Sequence, residues 1–203
     1  MPQEIAKNSF YTIIAHLHAI TGSVIFITGI LQFIMNKGGR WHKTIGNIYF
    51  YSWIAIIATG AYIGSIVIVT IVLLGFYLCL TGVRSAILKN KPYTWLDETI
   101  VICACIVVLF LATSAIVLTI YQYYTYAILS AIFTMIYGWL TAHDASMVLL
   151  KKRRFKSDYG VMNWYVSHLS RMQISFITAI TAFTDIQNIF GNTLLNFIIP
   201  GLT

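Results

Sequence analysis

Residues 99–121 read TIVICACIVVLFLATSAIVLTIY, a run with no charge, no glycine and no proline, in which apolar side chains follow one another instead of alternating. Crossing the hydrocarbon core of a bilayer takes about 20 helical residues. A chain in lipid must also satisfy its own backbone, and a helix does so within one segment. The stretch is therefore read as a membrane-spanning helix, and its unbroken character argues against a barrel strand, which would alternate. Five more apolar stretches follow the same logic, giving spans near 9–35, 44–63, 65–88, 99–121, 125–150 and 162–188. The expectation is an all-α integral membrane six-helix bundle forming one domain over 1–203, with a short apolar tail, 191–203, lying at the outer interface.

Composition agrees. Of 203 residues, 59% are hydrophobic and only 9% charged, and the mean hydropathy is +0.80; a soluble core needs far less apolar material. The first span is too long for the apolar core of a signal peptide. It also carries His16 and His18 and ends in Asn36-Lys37-Gly38-Gly39 without a small-residue cleavage pattern, so it is expected to be retained. The prolines, Pro2, Pro92 and Pro200, fall outside all six spans, which speaks against a transporter with broken helices. Cys79, Cys103 and Cys105 lie within spans and are expected to be packing residues.

The formal net charge is +7, and its distribution sets an orientation. Lys37, Arg40 and Lys43 follow span 1, Lys89 and Lys91 follow span 3, and Lys151, Lys152, Arg153, Arg154 and Lys156 follow span 5, against Lys7 alone on the other side. Because basic residues stay on the cytoplasmic side, these loops are expected inside and both termini outside, as in a bacterial inner membrane. The excess of positive charge then reflects topology and attraction to anionic lipid, with no call for nucleic acid. The expected partners are the lipid bilayer and, beyond it, other membrane subunits or a second copy of the chain.

Polar residues inside the spans are regularly placed. In span 6, His168, Arg171, Ser175, Thr178, Ala182 and Asp185 recur at steps of three and four, a line along one helix face. A charge on the lipid side would cost at least ~2.5 kcal/mol, so this line is expected to face protein or water. Span 1 has a matching face in Tyr11, His18, Gly22, Ile25, Gly29, Gln32 and Asn36, with His16 pointing the other way. Span 5 offers Tyr126, Ser130, Thr134, Tyr137, Thr141 and Asp144, and span 3 offers Thr70, Tyr77, Thr81 and Arg84. Buried ions are normally paired, and Arg171 is the natural partner of Asp144, since spans 5 and 6 form a hairpin that brings them to similar depth. Close packing through Gly22 and Gly29, with polar groups bonded across the bundle, is the structural account of these faces.

His143 and His168 flank the loop 151–160 symmetrically, with His42 near the same level at the start of span 2. Three imidazoles there would ligate a metal, or two would clamp a haem iron. No His-Glu-x-x-His or comparable tight spacing accompanies them. A Gly-rich phosphate loop is also absent, and Asp144 and Asp185 are too far apart for paired-carboxylate catalysis.

His18-Ala19-Ile20-Thr21-Gly22, Thr28-Gly29-Ile30-Leu31-Gln32-Phe33 and Gly38 through Tyr49 resemble a family of bacterial membrane proteins known as a domain of unknown function. That family reads His, Gly, Gly-x-x-Gln, a basic loop, then His-Lys or His-Arg followed by Gly and Tyr. The resemblance extends to Gly75-Phe76-Tyr77 through Gly82-Val83-Arg84, and to His168-Leu169-Ser170-Arg171-Met172 with Thr181-Ala182-Phe183. It implies a fold pattern and no reaction.

Leu17-His18, Gly22, Leu31-Gln32 and His42 are also similar, more faintly, to transmembrane b-type cytochromes of the ascorbate-reducible kind. Those hold two haems on four histidines, whereas this chain has histidines for one. The likeness implies a single haem b on His168 with His42 or His143, walled by Trp41, Trp139 and Trp164, and a role in electron transfer. Four functions thus stand open: a haem-binding redox protein, a proton or small-solute pathway lined by His18, Arg84, Asp144, Arg171 and Asp185, a non-catalytic assembly subunit, and a zinc hydrolase on His42, His143 and His168.

Overall fold

Seven helices make up the described chain: α1 (Pro2–Ile34), α2 (Arg40–Ile63), α3 (Ile66–Leu88), α4 (Trp95–Ile120), α5 (Tyr124–Leu149), α6 (Asn163–Ile186) and α7 (Thr193–Leu202). This is a computed structural model that describes the backbone of residues 2–63, 66–89, 91–149 and 163–202, and their side chains except at 2–8 and 66–68. No strand occurs among the described residues. The basic loop expected at 151–160, the side chain of Lys7 and the outermost residues of three spans (65, 150 and 162) lie outside them.

Four helices are long and apolar enough to cross a membrane, over Ser9–Ile34, Val69–Leu88, Trp95–Ile120 and Tyr124–Leu149. Helices α2 and α6, each 24 residues, are of comparable length but more polar.

The chain divides into two units, Met1–Cys79 with Ser175–Thr203, and Leu80–Ile174. In the first, α1 and α2 pack as an antiparallel hairpin. Gly22 faces Ile56, and the Gln32 side-chain amide donates to the His42 carbonyl at 2.9 Å. Thr59 donates its only hydroxyl proton to the Ala55 carbonyl, so its oxygen accepts from His18 Nδ1 at 2.9 Å and that nitrogen carries the proton. Gly38, at φ +78, makes the turn between the helices. Lys37 Nζ donates to the Phe33 and Gln32 carbonyls at the end of α1, where cations suit the helix dipole.

The first unit's core centres on Tyr49 and Trp53 of α2, both fully enclosed. Tyr49 Oη is 2.8 Å from Ser175 Oγ on α6. Gly75 of α3 stands against the Trp53 ring and the Thr178 hydroxyl with no room for a Cβ atom.

Helix α7 is fastened by asparagines. Asn192 accepts from the Leu194 and Leu195 amides as the N-cap. The buried Asn196 accepts from the Phe190 amide and donates to Asn188 Oδ1. Pro200 lies inside α7 and has no N–H to offer the carbonyl four residues back; that carbonyl, of Asn196, accepts instead from Thr184 Oγ1 at 2.8 Å. The tail expected at 191–203 is thus a helix docked on the end of α6.

In the second unit, α4 and α5 form another antiparallel hairpin, joined by Ser114 and Ser130 at 2.9 Å and by Gly138 against Val108. Helix α4 buries only Asp97, Val101, Ala104 and Leu111. Cys103 and Cys105 are in consequence exposed while Cys79 is buried, so only Cys79 is the enclosed packing residue expected of all three.

The Gly75 contact yields a stability prediction. Gly75→Ala forces a methyl into the enclosed Trp53–Thr178 space and should destabilise the protein by about 1–3 kcal/mol, as overpacking does. Thermal unfolding in detergent, followed by circular dichroism, measures it; an unchanged midpoint would mean Trp53 yields freely.

Candidate functional site

Two carboxylate–guanidinium pairs in the second unit open onto one cavity. Thr94, at the N-cap of α4, has extended φ/ψ of −113° and 169°, set just after Pro92, which cannot continue a helix. Its amide donates to Asp97 Oδ2 at 2.8 Å, and its hydroxyl donates to the same oxygen at 2.8 Å. This is a capping box in which an aspartate serves at the third helical position. Asp97 also receives the fork of Arg84 from α3, Nε to Oδ1 at 2.9 Å and Nη2 to Oδ2 at 2.8 Å. Arg84 Nη2 further donates to Thr94 Oγ1 at 2.9 Å.

The second pair joins α5 and α6. Arg171 donates from Nη1 to Asp144 Oδ2 at 2.8 Å and from Nη2 to Asp144 Oδ1 at 2.5 Å. Its Nη1 also donates to Thr81 Oγ1 on α3 at 2.7 Å. Both pairs are well enclosed, with side chains 16% and 7% exposed for Arg84 and Asp97 and 13% and 12% for Arg171 and Asp144. Gly82 makes the approach of α6 feasible, for a Cβ there would press on Arg171 Cβ and Met172. It also brings the Gly82 carbonyl within 3.0 Å of His168 Nδ1. A carbonyl accepts only, so His168 carries its proton on Nδ1.

Arg84, Asp97, Asp144 and Arg171 line the same space of about 30 Å³, with Thr81 and Tyr93 at its wall. That volume suits one or two water molecules. The four charges sum to zero.

The expected residues fall into two groups. Arg84, Asp144 and Arg171 meet at the cavity, and Arg171 pairs with Asp144 as their depth suggested. His18 and Gln32 bind within the α1–α2 hairpin of the first unit. So the His, Gly and Gln of the family-like motif are the residues by which that hairpin packs. His42 is half-buried at the start of α2. His143 is 58% exposed, its Nδ1 3.4 Å from Asp144 Oδ1, and it lies beside the Trp139 ring. Trp41 and Trp139 are exposed, while Trp164 receives Lys89 Nζ over its ring at 5.6 Å. Asp185 is half-buried, and its carboxylate meets no cationic side chain among the described residues.

Among the described residues no three His, Cys, Asp or Glu side chains are grouped so as to hold a metal ion. Asp97 and Thr94 are site residues that the span reading passed over, because it began span 4 at residue 99. The pattern Thr-x-x-Asp after Pro92 is the signal that finds them.

No protein-family model matches the chain, and neither a curated protein nor a solved structure matches it at a significant level.

The pairing can be measured. Asp144→Asn alone should destabilise by roughly 3–5 kcal/mol because it strands the buried Arg171 charge. The double variant Asp144→Leu with Arg171→Met should recover most of that loss. A double-mutant cycle of unfolding free energies in detergent checks this; strictly additive losses would mean that the two side chains do not interact.

Proposed function

We propose that this chain is a six-span protein of a bacterial inner membrane, its basic loops cytoplasmic and both termini outside, and that the cavity between its two ion pairs is a station on a proton pathway. The observation that carries the reading is the convergence of both Arg–Asp pairs on one water-sized space. Ionisable groups inside membrane helices are costly and mark pathways and relays. A buried pair kept only for stability would do no better than an apolar pair of the same volume.

The six-span topology draws support from the length of α2 and α6, 24 residues each, and from the polar side chains they bury, Ser52 of α2 and Ser175, Thr178, Thr181 and Thr184 of α6. It also draws on the aromatic residues that bracket α4. Trp95 is exposed at one end, and Tyr121, Tyr123 and Tyr124 at the other, as at the two interfaces of a bilayer. At 26 residues, α4 is about 39 Å long, enough to carry those rings past a hydrocarbon core of about 30 Å.

Each guanidinium has a second acceptor besides its carboxylate, Thr94 Oγ1 for Arg84 and Thr81 Oγ1 for Arg171. A carboxylate that takes a proton therefore leaves its arginine still hydrogen-bonded, and the charge does not have to leave the site. Room for only one or two waters favours the proton over a larger solute.

Purified protein in liposomes containing a pH-sensitive dye, driven by a potassium diffusion potential, tests the proposal. Wild-type protein should carry protons faster than empty liposomes. Asp144→Asn, checked for retained helix content, should lower the rate about tenfold, equivalent to roughly 1.4 kcal/mol on a barrier. Equal rates for variant and wild type would leave the ion pairs as helix clamps in an assembly subunit.

A further inference from the structure

Thr141 sits one turn before Asp144 on α5, on the polar face that continues to Tyr137. It is 3% exposed, and its hydroxyl finds no hydrogen-bond partner among the described residues. Neighbouring hydroxyls on the same helix behave differently. Thr134 Oγ1 donates back to the Ser130 carbonyl at 2.7 Å, and Ser146 Oγ to the His143 carbonyl at 2.7 Å. That backward bond is the ordinary way a helical Ser or Thr is satisfied. A buried hydroxyl left without it is unfavourable and calls for another partner, and one turn from Asp144, which lines a water-sized cavity, the partner of suitable size is water.

We infer that the Thr141 hydroxyl binds a water that continues the cavity at Asp144, so that the pathway runs on along α5 past Thr141 toward Tyr137. The inference rests on the proton-pathway reading and adds its direction. Thr141 is a positioning residue: it orders the water that meets Asp144 and takes no proton itself.

The same liposome assay decides it. Thr141→Val keeps the shape and removes the hydroxyl, while Thr141→Ser keeps the hydroxyl. Proton flux should fall about tenfold in the valine variant and stay near wild type in the serine variant. Thr141→Ala is the second hydroxyl-free variant, and whichever of the two retains wild-type helix content is decisive. Wild-type flux in that variant, with Asp144→Asn still slow, overturns the role of Thr141 and leaves the pathway reading standing. Wild-type protein no faster than empty liposomes overturns both.

Discussion

A guanidinium or carboxylate withdrawn from water must find its counterion within reach, and that requirement governs the second unit. Arg171 of α6 is well enclosed only because Asp144 of α5 offers both oxygens to it, and Arg84 of α3 only because Asp97 of α4 does the same. The two forks name the helix pairs that have to meet, and Thr81 of α3 draws the Arg171 pair back toward α3. Bidentate geometry tolerates little sliding. A shift of α6 by one residue along its axis, about 1.5 Å, would break both bonds to Asp144 and leave two buried ions unpaired. The ion pairs thus set register even where their net stabilisation is small.

Close approach by α6 rests on residues that are small for a reason. Gly82 lets Arg171 Cβ and Met172 lie against α3, which is the condition for the Arg171 fork to reach Asp144 and Thr81 together. In the first unit, Gly75 admits Trp53 and Thr178, and Gly29 admits the Phe176 ring. Helices in lipid gain little from hydrophobic association, so such contacts and the hydrogen bonds they permit hold the packing. Helix α6 serves both units in this way, its Arg171 and His168 in one, its Ser175 and Thr178 in the other.

Much of this was readable in advance. Apolar run length located six helices to within four residues, except that α1 begins seven residues before the expected span, and equal depth in a hairpin matched Arg171 to Asp144. The register of the α6 face was read less well. Near its end the buried face of α6 runs through Thr181 and Thr184 instead of Ala182 and Asp185, because α7 docks there through Thr184 and the Asn196 carbonyl. Nothing in α6 itself announces that contact, since it arises from the missing N–H of Pro200. Asp97 escaped for a different reason. Hydropathy places a helix start where charges cease, whereas the cap needs its acceptor inside the first turn, and there Asp97 serves the helix end and Arg84 at once.

The two carboxylates are therefore not equivalent. Asp97 is bound into the start of α4 by the Thr94 amide and hydroxyl as well as by Arg84, so giving up the arginine would also disturb a helix terminus. Asp144 lies inside α5, where the backbone needs nothing from its side chain, and beside it stands His143, an exposed imidazole. A group that exchanges protons has to be free to change partners without unravelling its helix. On that ground Asp97 is the fixed member, whose charge keeps Arg84 in place, and a proton passing through the cavity as proposed would ride on Asp144.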